Sequence, residues 1–248
     1  MLKFFDANCF AGKPDVLQKG SLYKPEDHLK LMAGCNIEKA LAYHISALEV
    51  HPTLGNKEMM LLVNKEASFV PLWVVMPNHT GEFYDPEELL QLMKENDVRA
   101  VRLFPRFNSL TYSLEDWSCG ELFDELGRKG IPVLIDLEET DWSMLYKVCK
   151  NHENLNVIVT NVYYRHGRDI YALLKELPNF FVEISLYKNY LGIEHICRKF
   201  GAHRLVFGTG MPLMDPGPSV AMVIYADIPY EDKGLIASGN LQRLLGVW

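Results

Sequence analysis

Short apolar runs bounded by turn residues recur eight times along the chain, and most are followed by a stretch whose apolar positions return at helical spacing. The runs cover residues 2–8, 39–46, 69–77, 98–105, 131–137, 156–162, 180–186 and 205–212. Near-continuous hydrophobicity of this kind suits parallel strands, because only a sheet covered on both faces buries every side chain. The helical stretches carry start and stop signals. Pro25 follows Lys24 at a first-turn position, with Glu26 and Asp27 at the positive end of the helix, and Asp85 is placed to cap a helix opened by Pro86. Residues 141–152 and 168–178 space their apolar side chains three and four apart, and Pro178 stops the second. Eight strand–helix alternations with no Gly/Ser or charged linker predict a single α/β domain over residues 1–248, a (β/α)8 TIM barrel. A doubly wound open sheet is the alternative, but no Gly-x-Gly-x-x-Gly follows the first run to support a nucleotide site.

Composition narrows the partners more than the fold. A net charge of −7 with no Lys/Arg-rich run argues against nucleic acid. The five cysteines are odd in number and scattered, with no Cys-x-x-Cys pair. That pattern supports neither structural zinc nor a disulfide framework, and points to reduced thiols in a cytoplasmic protein. Lys3 and Asp6 interrupt the apolar N-terminal stretch, and no later segment reaches the length of a membrane span. A small-molecule substrate is the expected partner. Self-association into a homo-oligomer is compatible with such a barrel, although no exposed apolar stripe predicts an interface.

In a barrel of this type, chemistry sits at the carboxyl ends of the strands. Alternation along residues 98–105 turns Ala100, Arg102 and Phe104 to one side, and a buried arginine there needs an acidic partner. That partner is either an internal carboxylate, Asp136 or Glu183, or the carboxylate of a substrate. Arg106, in the following loop, is freer to meet a ligand and freer to be merely solvated. His44 alternates with Ala42 and Ser46, as a satisfied core histidine or a site residue. Glu183 alternates with Phe181 and Ser185, which makes it a barrel-lining carboxylate costly to bury unpaired. Tyr163 and Arg165 belong to an aromatic and basic segment after the sixth run that could stack on and clamp an anionic ring.

The stretch Phe4–Gly12 resembles the first strand of the amidohydrolase-related family of metal-dependent hydrolases, whose Asp-x-His-x-His motif delivers two imidazoles to a divalent ion. Asp6 and Gly12 match, but the histidine positions hold Asn8 and Phe10. The resemblance extends to Asn240 and Leu244 in the closing helix, and it places Asp136, Asn161 and Gly210 where the family has its remaining His, His and Asp ligands. It implies the TIM barrel and a hydrolase or decarboxylase activity. It also implies that the catalytic metal is lost, because a phenyl ring and a glycine donate no electron pair. A divalent ion held by Asp136, Asn8 and Asn161 with Glu138 or Glu183 remains the weaker alternative, and a zinc site rebuilt from His44, His79 and His166 a weaker one still. Without a metal, Asp136 is the expected acid or base, with Asn8 and Asn161 orienting the reacting group. Each also has a structural reading, as a neutralised carboxylate and a satisfied amide network filling an old metal cavity. A barrel that only binds its ligand is therefore the alternative to an enzyme.

Overall fold

The computed structural model describes residues 2–246. Nine strands occur among them: β1 (Phe4–Ala11), β2 (Ile37–His44), β3 (Phe69–Pro71), β4 (Trp73–Val74), β5 (Val101–Leu103), β6 (Val133–Asp136), β7 (Val157–Thr160), β8 (Phe180–Glu183) and β9 (Leu205–Val206). Every pairing is parallel. The α-helices are α1 (Pro25–Gly34), α2 (Ser46–Glu49), α3 (Pro52–Val63), α4 (Pro86–Glu95), α5 (Asp116–Arg128), α6 (Trp142–Asn151), α7 (Gly167–Glu176), α8 (Gly192–Phe200), α9 (Gly217–Ile224), α10 (Tyr230–Gly234) and α11 (Asn240–Leu244). Their starts obey the local signals. Asp85 Oδ1 accepts from Glu88 N and Asp141 Oδ1 from Met144 N, both at 2.9 Å.

The run at 69–77, expected as one strand, is broken at Leu72. β3 pairs with β2, and β4 pairs with β5. Leu72 N still reaches Ala42 O at 2.9 Å, so β3 and β4 together make a single stave. Near the break, α3 supplies the missing ladder. Asn56 Nδ2 donates to Val74 O and Val74 N donates to Asn56 Oδ1, each at 2.9 Å. The ring closes between β1 and the segment after β9, where Ala7 N donates to Phe207 O, Gly210 N to Asn8 O and Phe10 N to Met211 O, at 2.8–3.1 Å. Eight staves thus form a (β/α)8 barrel.

Two buried clusters follow from the two-residue period of the strands. Leu41, Ala100, Leu134, Ile158, Phe181 and Val206 fill the barrel. Val101, Val133, Val157, Val182 and Leu205 face outward and pack against helix residues such as Leu89, Leu122, Leu145 and Leu173. All five cysteines are free thiols. No helix among the described residues is long and apolar enough to cross a membrane.

Asn56 is buried, and both ends of its amide serve one strand residue. Asn56→Leu removes both partners of Val74, and unpaired buried backbone groups cost about 1–3 kcal/mol each. Urea unfolding should show a lower midpoint with an unchanged m-value; a midpoint equal to wild type would mean that Val74 is satisfied some other way.

Candidate active site

Moving up the barrel by one alternation, the interior turns from apolar to polar. Ala100 gives way to Arg102, Leu134 to Asp136, Ile158 to Thr160, Phe181 to Glu183 and Val206 to Gly208. Gly208 makes room for its neighbour, since a Cβ there would lie 2.3 Å from Glu183 Oε1. Arg102 is the hub of this layer. Its side chain is 2% exposed and its guanidinium donates from Nη2 to Asp136 Oδ2 at 3.0 Å and to Thr160 Oγ1 at 3.2 Å. Nη1 donates to Asn8 Oδ1 at 3.0 Å. The rings of Tyr43 and Phe104 lie 5.1 and 5.3 Å from Cζ, within cation–π range. Burial pulls the Arg102 pKa down, but Asp136, Tyr43 and Glu183 more than offset it, so the group is raised above its ordinary value and stays charged.

Around the hub the amides form a closed network. Asn8 Nδ2 donates to Asn161 Oδ1 and to Glu183 Oε2, both at 2.9 Å. Asn161 Nδ2 and Thr160 Oγ1 donate to Asp136 Oδ1, the latter at 2.6 Å. Asn161 reaches inward because its backbone is left-handed (φ 56°), a conformation asparagine tolerates better than most residues. A bulge in β1, where the three steps from Asp6 to Cys9 match the two steps from Ala40 to Ala42 of β2, turns Asn8 into the barrel.

Two further carboxylates lie beneath the mouth, both fully buried. Glu183 accepts from Asn8 Nδ2, Asn161 N, Ser185 N and Ser185 Oγ. Asp6 accepts from Asn8 N and from Thr209 N and Oγ1. Burial raises the Glu183 pKa from 4.5 to about 7 despite those donors. It likewise raises Asp6 from 3.8 to about 7, with a smaller contribution from the charge of Glu183.

Above the network opens a cavity of about 270 Å³, lined among others by Asn8, Phe10, Tyr43, Arg102, Asp136 and Tyr163. Asp136 is the partly open carboxylate here, at 17% exposure. A larger groove, about 700 Å³, runs between α4 and α5 on the outer wall and carries none of the candidate residues.

Of the candidates from the sequence, Asn8, Arg102, Asp136, Asn161 and Glu183 meet in one network, and Tyr163 lines the cavity above it. Three lie elsewhere. Inward alternation in β2 belongs to Leu41 and Tyr43, so His44 points to the other side, against Gly12, and its Nδ1 accepts from Ser46 N at 3.4 Å. Burial lowers the His44 pKa. Arg106 is exposed, with its guanidinium 5.9 Å from the Phe107 ring. Arg165 is exposed and stacks on Tyr164 at 5.7 Å. Tyr43 and Thr160 were not among the candidates. The alternation of Ile158 with Thr160 was a usable signal for the second, and the choice of His44 over its neighbour hid the first.

The places expected for metal ligands can be tested directly. Phe10 packs its ring 5.8 Å from that of Tyr43. Gly210 has φ 76°, and a Cβ there would lie 2.1 Å from Met214 Cε, so a longer side chain meets both backbone strain and a neighbour. Asn8 Oδ1 and Asp136 Oδ2 already accept hydrogen bonds from a guanidinium cation. Among the described residues, no group of three or more His, Cys, Asp and Glu side chains is arranged to hold a metal ion. His79 Nε2 lies 2.9 Å from Ser118 O, and His166 Nδ1 accepts from Trp142 Nε1, so these two do not join His44. The residues at the mouth do not fit a divalent transition ion.

Solved structures share this fold. A TIM-barrel protein from Bordetella bronchiseptica is similar at a TM-score of 0.74 and 17% identity, covering 98% of both chains. The 2,6-dihydroxybenzoate decarboxylase from Rhizobium gives 0.74 and 15%, covering 99% of both. The 5-carboxyvanillate decarboxylase from Novosphingobium aromaticivorans, solved with bound manganese and 3-methoxy-4-hydroxy-5-nitrobenzoic acid, gives 0.74 and 14%, covering 98% of this chain and 97% of that one. Identities this low speak to the fold alone. No curated protein matches. The sequence model of the family described as Amidohydrolase matches residues 64–247. The chain belongs to the amidohydrolase family.

Proposed function

We propose that the protein is a metal-independent enzyme of the amidohydrolase family, acting at the barrel mouth on a small carboxylate-bearing substrate by hydrolysis or decarboxylation. The observation that carries this reading is Asp136. It is a partly open carboxylate at the end of β6, fixed on three sides by Arg102, Thr160 and Asn161, and it faces a cavity of about 270 Å³. That volume is at the small end of ligand sites and suits a molecule of one ring. Phe10, Tyr43 and Met211 give the cavity apolar surface for such a ring. Arg102 lines that cavity, and its bonds to Asn8, Asp136 and Thr160 engage three of the five guanidinium N–H donors, which leaves donor capacity for a substrate carboxylate. The decarboxylases of similar shape act on aromatic carboxylates by name, which supports that substrate class.

In hydrolysis, Asp136 takes a proton from the attacking water and returns it to the leaving group. In decarboxylation, a proton first resides on Asp136 and passes to the carbon that loses CO2. Asn161 Nδ2 bonds Asp136 with one N–H and offers the other to the reacting oxygen, while Asn8, whose two N–H groups are taken by Asn161 and Glu183, holds Asn161 in register. One observation favours a second reading, a barrel that binds without turnover: both oxygens of Asp136 already accept protein hydrogen bonds.

The buried acids set the pH response. Glu183 and Asp6 bind protons more tightly in the folded chain than in the unfolded one, whose acids titrate near 4. Their stabilising contribution is therefore complete at low pH and is lost as pH rises toward about 7. Unfolding free energy, followed by urea titration, should decline between about pH 4 and pH 7, and the decline should shrink in Glu183→Gln. An equal decline in both proteins would remove Glu183 as a source of the pH response.

For the activity, hydroxylated benzoates screened for CO2 release and small aromatic lactones screened for opening are the direct assay. Asp136→Asn should lower turnover at least about 100-fold, the usual weight of a general acid–base group, while calorimetric binding changes little. Turnover indifferent to Asp136→Asn would defeat the assignment, and binding with no turnover in either protein would favour the second reading.

A further inference from the structure

We infer that the Arg102 guanidinium takes the place of the divalent ion in this barrel, as a cation built into the chain and held by the oxygens of Asn8, Asp136 and Thr160. The inference rests on the metal-independent reading of the mouth and says what replaced the metal. The arginine comes from β5, a strand that supplies none of the five expected ligand positions. Two of those positions nevertheless bond it directly, Asn8 Oδ1 and Asp136 Oδ2 at 3.0 Å each, and a third, Asn161, bonds both of these. Two places where the family has imidazole ligands here present oxygens to a planar cation.

Charge explains why some cation must stay. Asp6, Asp136 and Glu183 are gathered in and beneath the mouth, the first and last with no exposed surface. Acids this close cannot all ionise without a positive neighbour. A guanidinium supplies one charge where a divalent ion supplies two. The two cations also differ chemically. A metal ion acidifies a bound water, whereas a guanidinium only orients and neutralises. Activation of a nucleophile therefore falls to Asp136. Loss by dilution or chelation is impossible for a cation carried on Cα.

The test removes the cation and offers it back. Arg102→Ala should melt roughly 10 °C below wild type, as expected for one partner of a buried ion pair left alone. Millimolar methylguanidinium should raise the melting temperature of Arg102→Ala at concentrations that leave wild type unchanged. The double variant Arg102→Ala/Asp136→Asn has no carboxylate to neutralise there and should gain nothing. Manganese, added in slight excess and measured on the protein after desalting, should be absent from wild type. One manganese per wild-type chain would overturn the metal-independent reading itself. A metal-free wild type whose Arg102→Ala variant gains nothing from methylguanidinium would overturn the replacement alone. If Arg102→Ala does not fold, its refolding yield is compared with and without methylguanidinium: a higher yield with it supports the replacement, and equal yields count against it.

Discussion

A guanidinium with 2% of its side chain exposed has to be met by charge and by acceptors, and the barrel mouth is arranged around that requirement. Asp136 supplies the charge, Asn8 and Thr160 supply further acceptors, and the rings of Tyr43 and Phe104 shield the cation from water. Each partner has its own support. Asn161 in a left-handed turn locks Asn8 to Asp136, the β1 bulge aims Asn8 inward, and Gly208 leaves room for the carboxylate behind. Removing Arg102 therefore affects one side chain from each of several strands.

The same layer reconciles two tendencies in Glu183 and Asp6. Their oxygens collect hydrogen bonds that suit a carboxylate, yet burial is the larger influence and both retain protons to about pH 7. Hydrogen bonds lower the cost of the charge without removing it, because the nearest fixed cation is already neutralised by Asp136. Asp136 differs from them chiefly in its access to the cavity. The proposed chemistry follows from that contrast: two buried acids that shape the field, and one exposed enough to exchange a proton with a ligand.

The barrel was legible in the sequence because eight apolar runs and their helix caps repeat one local grammar. The break at Leu72 was not, since its compensation, the Asn56 amide bonded to Val74, comes from a helix many residues upstream. Within the site, two-residue alternation located Arg102 and Glu183 on inward positions, and the same reasoning applied to His44 misplaced it by one residue. Register in β2 is set by pairing with a bulged neighbour, which a single strand does not reveal. Arg106 lies in a loop and Arg165 in a short 3-10 turn, where strand alternation carries no information. The resemblance of residues 4–12 pointed to absent ligands. It gave no hint that a side chain from β5 bonds two of the residues at those places.

Everything proposed for the mouth turns on which cation sits between Asn8 and Asp136. A crystal grown with manganese, with data collected at the metal's absorption edge, tests this most directly. A built-in cation predicts no anomalous peak at the mouth and continuous side-chain density for Arg102 reaching Asn8 Oδ1 and Asp136 Oδ2. A strong peak coordinated by those two oxygens, with Arg102 turned away, would contradict it.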